Sequence, residues 1–199
     1  MNRHILVRYA TRAGSTLEIA EVIGEVLYAR NFIVDIWPVN EKLSIKGYGA
    51  IVMGSCIRGG GWLPEMVRFI RENKTQLNKI PIATFTVHVL NRGDDENSRA
   101  ARETYMAPIR EMISPVYEAF FAGKVDFSTL SLLDFVSARA LQPQVAAHSG
   151  DFRDWDKVRS WAQTLFSQKN KIEKSIDFPL ACPINRRNKE PSHRMGVQR

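Results

Sequence analysis

A short stretch near the start of the chain, His4–Thr16 (HILVRYATRAGST), constrains the fold more than any other feature of the sequence. Its first half is apolar and predicts a buried strand that ends at a turn of small and hydroxyl-bearing residues. The segment that follows, 17–27, places apolar side chains at 17, 20, 23 and 27, on one stripe of a helix. A strand, a hydroxyl-rich turn and a helix in this order can bind a phosphate group.

The turn 11–16 offers several hydrogen-bond donors to an anion. The first turn of a helix has backbone N–H groups without intrahelical partners, and the aligned peptide dipoles add partial positive charge there. Thr11, Ser15 and Thr16 add hydroxyl groups, and Gly14 lets the backbone approach an anion without an intervening Cβ. Ser and Thr are also common in ordinary helix caps, so this stretch alone is compatible with both interpretations.

The rest of the chain alternates between strand-like and helix-like segments. Further strands are predicted over 32–37, 48–55, 80–87 and 116–122. Helices are predicted to begin at Pro64, to run over 98–113 with a kink or break at Pro108, and to follow the capping candidates Asp151 and Asp154. Five strands that alternate with helices predict a parallel sheet covered on both faces, with the plausible strand order 2-1-3-4-5.

Three turns of this predicted fold are expected to form one site. Ligands of such sheets bind outside the carboxyl ends of the strands, where the strand order reverses, so the turns 11–16, 55–62 and 88–93 could converge. A P-loop NTPase is excluded because no Gly-Lys-Ser/Thr is present, and a dinucleotide-binding domain because the first turn has one glycine. The ends of the first and third strands also lack the acidic residues of a response regulator.

Length and composition favour one domain with an extension. At 199 residues and 44% hydrophobic composition, we expect a domain over 1–168 with an insert at 124–150, followed by an extension over 169–199. No run approaches the ~20 apolar residues of a membrane span, and no signal-peptide pattern is present, so we expect a cytoplasmic protein. Cys56 and Cys182 lack metal-ligand spacing, so free thiols and no metal are expected.

The basic character of the chain is concentrated in the extension. Residues 169–199 contain eight basic and three acidic side chains, a charge of +5 within the total of +7. Such a segment could attract nucleic acid, anionic lipid or an acidic partner, or it could be a solvated tail. Peripheral contact with the inner face of an anionic membrane is a possible role, and no nucleic-acid partner is expected.

The motifs YATRAGST (9–16) and GSCIRGGGW (54–62), with the turn after the fourth strand, resemble the flavodoxin-like family that binds FMN. Within it the chain is most similar to the flavodoxin-domain group that contains menaquinone-dependent protoporphyrinogen oxidases. This likeness depends on Gly54–Arg58, on LLDFV in the insert and on Asp154-Trp155 before the last helix. It covers residues 3–168 and implies a flavodoxin-like α/β fold, a doubly wound parallel sheet of five strands with a helical insert before the last helix.

The resemblance also implies the residues that would contact FMN. The phosphate would be held by Thr11, Arg12, Ala13, Gly14, Ser15 and Thr16. The isoalloxazine ring would be flanked by Ser55, Cys56, Ile57, Arg58, Gly59 and Gly60, and by His88, Val89, Leu90, Asn91 and Gly93. The candidate catalytic residues are Arg58, whose charge would favour a negative reduced flavin, and His88, which could donate to the ring or carry protons. Alternatively, Arg58 is a solvated loop residue and His88 is a loop residue whose hydrogen bonds are made within the protein. Many flavodoxins stack the ring between Trp and Tyr side chains, whereas this sequence has Trp62 and His88 in these turns.

Two functions follow from the resemblance. The first is an FMN-dependent oxidoreductase that passes electrons from a tetrapyrrole precursor to a quinone, because the apolar insert and basic extension suit a large flat substrate and an anionic membrane surface. The second is a flavodoxin-type electron-transfer protein that has a redox partner protein and no substrate of its own. A flavin-free interaction domain is a third possibility.

Overall fold

The computed structural model of the chain describes residues 2–125 and 150–167. Its elements are β1 (His4–Ala10), α1 (Ser15–Ala29), β2 (Ile33–Pro38), β3 (Ala50–Arg58), β4 (Gly61–Trp62), α2 (Pro64–Leu77), β5 (Ile82–His88), α3 (Glu96–Arg110), β6 (Tyr117–Ala122), β7 (Lys124–Val125), β8 (Gly150–Asp151) and α4 (Trp155–Thr164). The interior of the expected insert, 126–149, and the expected extension over 169–199 with Cys182 lie outside the described residues. The predicted domain boundary near 168 therefore stays a prediction.

Five long strands form a parallel sheet in the order β2-β1-β3-β5-β6. Because β5 and β6 are the fourth and fifth of the predicted strands, this arrangement confirms the predicted order 2-1-3-4-5. The central strands β1, β3 and β5 are almost continuously buried, as their unbroken apolar sequences predict for a sheet covered on both faces.

Two hydrophobic cores lie on opposite faces of this sheet. Alternate residues of β1 point to each side, so that Ile5 and Val7 pack with α1 and α4 while Leu6 and Ala10 pack with α2 and α3. The apolar stripes of the helices complete both cores. Helices on both faces leave the loops at the ends of the strands free to form a site.

The second predicted turn has a different structure from the expected one. The strand prediction ended β3 at Ser55, but the strand continues to Arg58 and then reverses through a tight hairpin. Gly59 and Gly60 have φ of 59° and 80°, a left-handed conformation that glycine adopts without strain. Ile57 then pairs with Trp62 of β4, which supplies the partner that extends β3 beyond the sheet.

The ends of two helices also differ from the predictions. Asp154 caps α4 as predicted, since its Oδ1 accepts from the Lys157 N–H at 2.9 Å, but Asp151 lies in β8 and does not cap the helix. α3 begins at Glu96 and ends at Arg110, two residues after Pro108, so the predicted end at 113 is wrong.

In the part of the chain that the structure describes, no helix has the length and apolar character needed to cross a membrane.

Candidate functional site

The three predicted turns meet at the carboxyl edge of the parallel sheet. The register pairs Ala10 with Ser55, and the next residue of β3 with Val87. His88 pairs in turn with Ala122 of β6. The strands therefore end at the same edge of the sheet, although β3 continues to Arg58, and this places the turn 11–16, the hairpin 55–62 and the turn 88–93 side by side.

The turn 11–16 has polar groups without protein partners. Gly14 is the residue before α1, has φ of 88° and makes no side-chain capping bond, while its N–H donates to Thr11 Oγ1 at 3.1 Å. Thr16 is fully buried, and its Oγ1 has no hydrogen-bond partner among the described residues. A buried hydroxyl group without a partner costs about 1–3 kcal/mol, so its presence favours a ligand over a simple cap.

Arg12 connects this turn to the second helix. Its guanidinium group forms a two-point ion pair with Glu65 in the first turn of α2, with 3.0 Å between Nη2 and Oε2. The hydrogen bond raises the pKa of Arg12 and lowers the pKa of Glu65. The side chain of Arg12 is thus engaged with Glu65, and its backbone N–H faces the Cys56 thiol at the start of the hairpin.

The hairpin begins with Ser55 and Cys56, whose polar groups are engaged or buried within the protein. Ser55 Oγ accepts from the Leu63 N–H and donates to the Cys56 carbonyl, both at 3.0 Å. Burial raises the pKa of the Cys56 thiol, against the opposing effects of the Arg12 backbone N–H and the Arg58 charge. The thiol is therefore protonated at neutral pH and is a poor nucleophile.

Trp62 and Arg58 are placed very differently in the hairpin. Trp62 is only 5% exposed, and its Nε1–H donates to Thr86 Oγ1 at 2.9 Å, so its ring belongs to the core. Arg58 is exposed at the end of β3 and has no ion-pair partner within residues 2–125 and 150–167. It is a cation that remains able to meet a negative charge.

His88 ends β5 and is 6% exposed. Its Nδ1 lies 2.6 Å from the Leu90 carbonyl oxygen, which can only accept, so Nδ1 carries the proton of the neutral ring. Burial lowers the pKa of His88 to about 4, with further lowering by nearby cations such as Arg102. The ring is therefore neutral at neutral pH and serves to hold the turn 88–93.

Helix α3 holds the same turn from a second direction. Arg102 Nη1 donates to the carbonyl oxygens of Asn91 at 2.5 Å and of Gly93 at 2.6 Å. Asn91 has φ of 59°, and its Nδ2 donates to the Tyr105 hydroxyl at 2.8 Å. Sequence reasoning missed Arg102 and Tyr105, because no local pattern indicates that a helical side chain reaches back to the preceding turn.

Gly123 connects the first turn with the third. Its N–H donates to the His88 carbonyl at 2.8 Å, and a Cβ built on it would lie 3.4 Å from Ser15 Oγ. Gly123 therefore lies between the turn 11–16 and the turn 88–93. No group of three or more His, Cys, Asp and Glu side chains in the described ranges is arranged to hold a metal ion.

A groove of about 570 Å³ runs along β6 from the turn 88–93. Its aromatic walls are formed by Phe120, Phe152 and Trp161, while the ring of Phe121 is buried in the core behind them. The Arg92 guanidinium lies 3.5 Å from the centre of the Phe152 ring, and Lys157 also lines the groove. Of the three carboxylates in the lining, Glu118 pairs with Arg110 and Asp154 caps α4, whereas Asp94 is exposed beside the turn 88–93. The groove thus combines aromatic surface with cations.

Comparison with known proteins agrees with this architecture. A sequence model described as Flavodoxin domain matches residues 6–141. Protoporphyrinogen IX dehydrogenase (quinone) of Escherichia coli strain K12 is 27% identical over 171 residues, which are 80% of this chain and 93% of that protein. The protein of the same name from Leishmania major is 24% identical over 189 residues, 89% of this chain and 77% of that protein.

Among solved structures, a flavodoxin described as Streptococcus pneumonia TIGR4 flavodoxin superposes with a TM-score of 0.51 at 17% identity. The superposition covers 81% of this chain and 97% of that chain. At this identity the likeness concerns the fold alone. Because the family model spans more than half of the sequence, however, the chain belongs to the flavodoxin-domain family, and FMN is its cofactor, as predicted.

Proposed function

We propose that the protein is an FMN-dependent oxidoreductase that passes electrons from a tetrapyrrole precursor to a quinone. The names of the relatives from Escherichia coli and Leishmania major support this reaction. The observation that carries it is the groove beside the turn 88–93, because an electron shuttle needs no substrate cavity. In the net reaction the substrate loses an electron pair and two protons, and the quinone takes both to become a quinol.

The turn 11–16 is proposed to hold the FMN phosphate. The unpartnered Oγ1 of Thr16 and the uncapped first turn of α1 are donors that a phosphate oxygen would satisfy. Ser15, also buried, would add a second hydroxyl group. Arg12 would contribute its backbone, because its side chain is paired with Glu65. These observations fit a phosphate group better than an ordinary helix cap.

The isoalloxazine ring is proposed to lie between the hairpin 55–62 and the turn 88–93. When bound, FMN supplies the redox chemistry, while the protein holds the ring and adjusts the charge around it. Arg58 has no partner among the described residues and would favour negative charge on the ring. His88, which is neutral, would orient the turn through Leu90 rather than supply a proton.

The groove along β6 is proposed to receive the tetrapyrrole precursor. Its aromatic walls suit a flat, apolar macrocycle, and Arg92 and Lys157 suit carboxylate groups on its rim. Glu118 and Asp154 add little repulsion, because an arginine and a helix N-terminus already compensate them. The third carboxylate of the lining, Asp94, is exposed, so solvent and salt screen its charge. A quinone has no carboxylate and would be less sensitive to these cations.

An anaerobic assay tests the proposal. Protein loaded with FMN is mixed with protoporphyrinogen and a menaquinone analogue, with free FMN at the same concentration as the reference. We expect substrate oxidation well above free FMN, and a Lys157→Glu variant with a raised KM for the tetrapyrrole but not for the quinone. Lys79→Glu, an exposed charge reversal outside the groove, is the matched control. Turnover no faster than that of free FMN would exclude the enzyme.

An electron shuttle is the second candidate, and the exposed, unpaired Arg58 favours it. A cation beside the proposed ring could receive an acidic partner protein. Rapid electron exchange with a flavodoxin reductase, together with no oxidation of protoporphyrinogen, would support the shuttle. An Arg58→Glu variant should then slow the exchange with the reductase.

Peripheral membrane contact is proposed from sequence alone. The charge of +5 over 169–199 favours an anionic surface, and each basic residue near such a surface contributes roughly 1 kcal/mol. Co-sedimentation of the full chain with vesicles of anionic lipid should exceed that with zwitterionic vesicles and should fall as salt is added. Equal binding to both vesicle types would contradict this proposal.

A further inference from the structure

Arg102 lies on α3, and neither the sequence motifs nor the comparisons assign it a role. We propose that Arg102 is a positioning residue of the cofactor site, which holds the turn 88–93 so that its backbone N–H groups face the FMN ring. This inference rests on the proposed location of the ring beside that turn.

Three carbonyl groups of the turn are bound on its inner side. One nitrogen of Arg102, Nη1, donates to the carbonyl oxygens of Asn91 and Gly93, at 2.5 and 2.6 Å. The Leu90 carbonyl oxygen lies 2.6 Å from Nδ1 of His88. The bonds from Arg102 come from a charged donor and are therefore stronger than bonds between neutral groups.

These contacts determine where the N–H groups of the turn point. In a trans peptide the C=O and N–H groups point in opposite directions, and the described residues contain no cis peptide bond. The N–H groups of Asn91, Arg92 and Asp94 share peptide planes with the three bound carbonyls, so they point away from α3 and His88. None of them donates a hydrogen bond within the described chain.

A row of free N–H groups suits the edge of a flavin. The ring carries carbonyl oxygens and ring nitrogens at its edge, which accept hydrogen bonds, and these acceptors become more negative when the ring is reduced. A peptide flip at Asn91 or Gly93 would present a carbonyl oxygen there instead and would repel the same atoms. Arg102 prevents this flip by binding both carbonyls.

The left-handed conformation of Asn91 sets the course of the turn. With φ of 59°, Asn91 occupies a region that glycine and asparagine adopt more readily than other residues. Tyr105 holds the Asn91 side chain and Arg102 holds its carbonyl group, so α3 fixes this residue at two points. Removing Arg102 leaves the peptide after Asn91 without its charged partner.

Three variants test the positioning role. Arg102→Ala removes the donor, Arg102→Lys retains one charged nitrogen in place of Nη1, and Arg99→Ala removes an exposed arginine from the same helix as the control. Each apoprotein is titrated with FMN by fluorescence quenching, and the reduction potential of the bound cofactor is measured. Thermal unfolding of the apoproteins checks that all of them fold.

We expect Arg102→Ala to bind FMN about tenfold more weakly and to shift the potential to more negative values. Arg102→Lys should recover most of both effects, and Arg99→Ala should match the wild type. An unchanged potential and affinity in Arg102→Ala would overturn the positioning role. If Thr16→Val nevertheless weakens FMN binding, the cofactor site stands and only this inference fails; if the wild type binds no FMN, both fail.

Discussion

The turns 11–16 and 88–93 lie at the same edge of the sheet but are built in opposite ways. In the first, the donors for a ligand are neighbours in the sequence, and Thr16 Oγ1 remains unpaired among the described residues. In the second, His88 and Arg102 bind the carbonyl groups and leave N–H groups outward. One turn therefore offers its own side chains, whereas the other depends on a helix that follows it.

The largest effect is expected in the turn 88–93, from the ionisation of His88. The pKa of His88 is 6.5 in the unfolded chain and about 4 in the folded protein. Between these pH values the unfolded chain binds a proton at His88 and the folded protein does not. The contribution of His88 to the free energy of unfolding is fully present above pH 6.5. It is lost as the pH is lowered toward 4, and the loss is about 3 kcal/mol at most.

Denaturant unfolding at neutral pH and near pH 4 measures this loss. A His88→Asn variant, which cannot titrate, should lose that part of the pH dependence even if its stability at neutral pH is lower. The difference between the two proteins isolates His88 from the carboxylates that also titrate in this range. The same pH slope in both proteins would contradict the low pKa.

The next largest effect is expected in the turn 11–16, from Thr16→Val. The substitution keeps the shape of the side chain and removes the hydroxyl group, so FMN binding should weaken roughly 10- to 100-fold through loss of a hydrogen bond to a charged group. Stability without FMN should not fall, because the hydroxyl has no protein partner there.

Titration with FMN and thermal unfolding of the apoprotein separate these two effects. Thr164→Val, at an exposed position near the end of α4, serves as the matched control. A Thr16→Val apoprotein that is clearly less stable than the wild type would show that the hydroxyl group has a structural role instead.

A smaller effect is expected from Gly14→Ala. A Cβ at this position meets no atom within 4 Å, so only the backbone conformation with φ of 88° opposes it, at about 1 kcal/mol. Gly14→Asn should lose less, because asparagine tolerates the left-handed region. A Cβ at Gly61 also meets no atom within 4 Å, and Gly61 does not have a positive φ. Gly61→Ala should therefore leave the free energy of unfolding, measured by chemical denaturation, nearly unchanged. Equal losses at both glycines would refute the backbone explanation.

The smallest effect is expected from the ion pair between Arg12 and Glu65. The two side chains are 47% and 28% exposed, so the pair should contribute about 0.5 kcal/mol and less at high salt. A double-mutant cycle with Arg12→Gln and Glu65→Gln measures it. A coupling several times larger would mean that this turn, like the turn 88–93, depends on a distant helix.

Much of the fold could be predicted because burial follows local patterns. The apolar runs of β1, β3 and β5 indicated buried strands, and Pro64 and Asp154 marked helix starts. The end of β3 was mispredicted, because residues 55–58 stay extended only through pairing with neighbouring strands and with β4. Asp151 could pass for a cap by residue type, yet it pairs in β8.

In the candidate site too, the sequence identified residues, whereas their surroundings became known only from the structure. Sequence alone singled out Arg58 and His88, but it could not show that Arg58 lacks an ion-pair partner in the described structure or that burial keeps His88 neutral. Trp62 was a candidate for stacking until its bond to Thr86 placed it in the core. These properties depend on what surrounds a side chain, which spacing along the chain does not encode.

By itself, the sequence determined the alternation of strands and helices, the strand order that this alternation favours and the turn of hydroxyl-bearing residues at Thr11–Thr16. These features depend on periodicity and on donors that are contiguous in the chain. Only the tertiary structure decided how the turn 88–93 is held, because α3 must fold back before Arg102 can reach the carbonyl groups of Asn91 and Gly93. Local chemistry is readable in order along the chain, whereas a contact between separate elements exists only after they have packed.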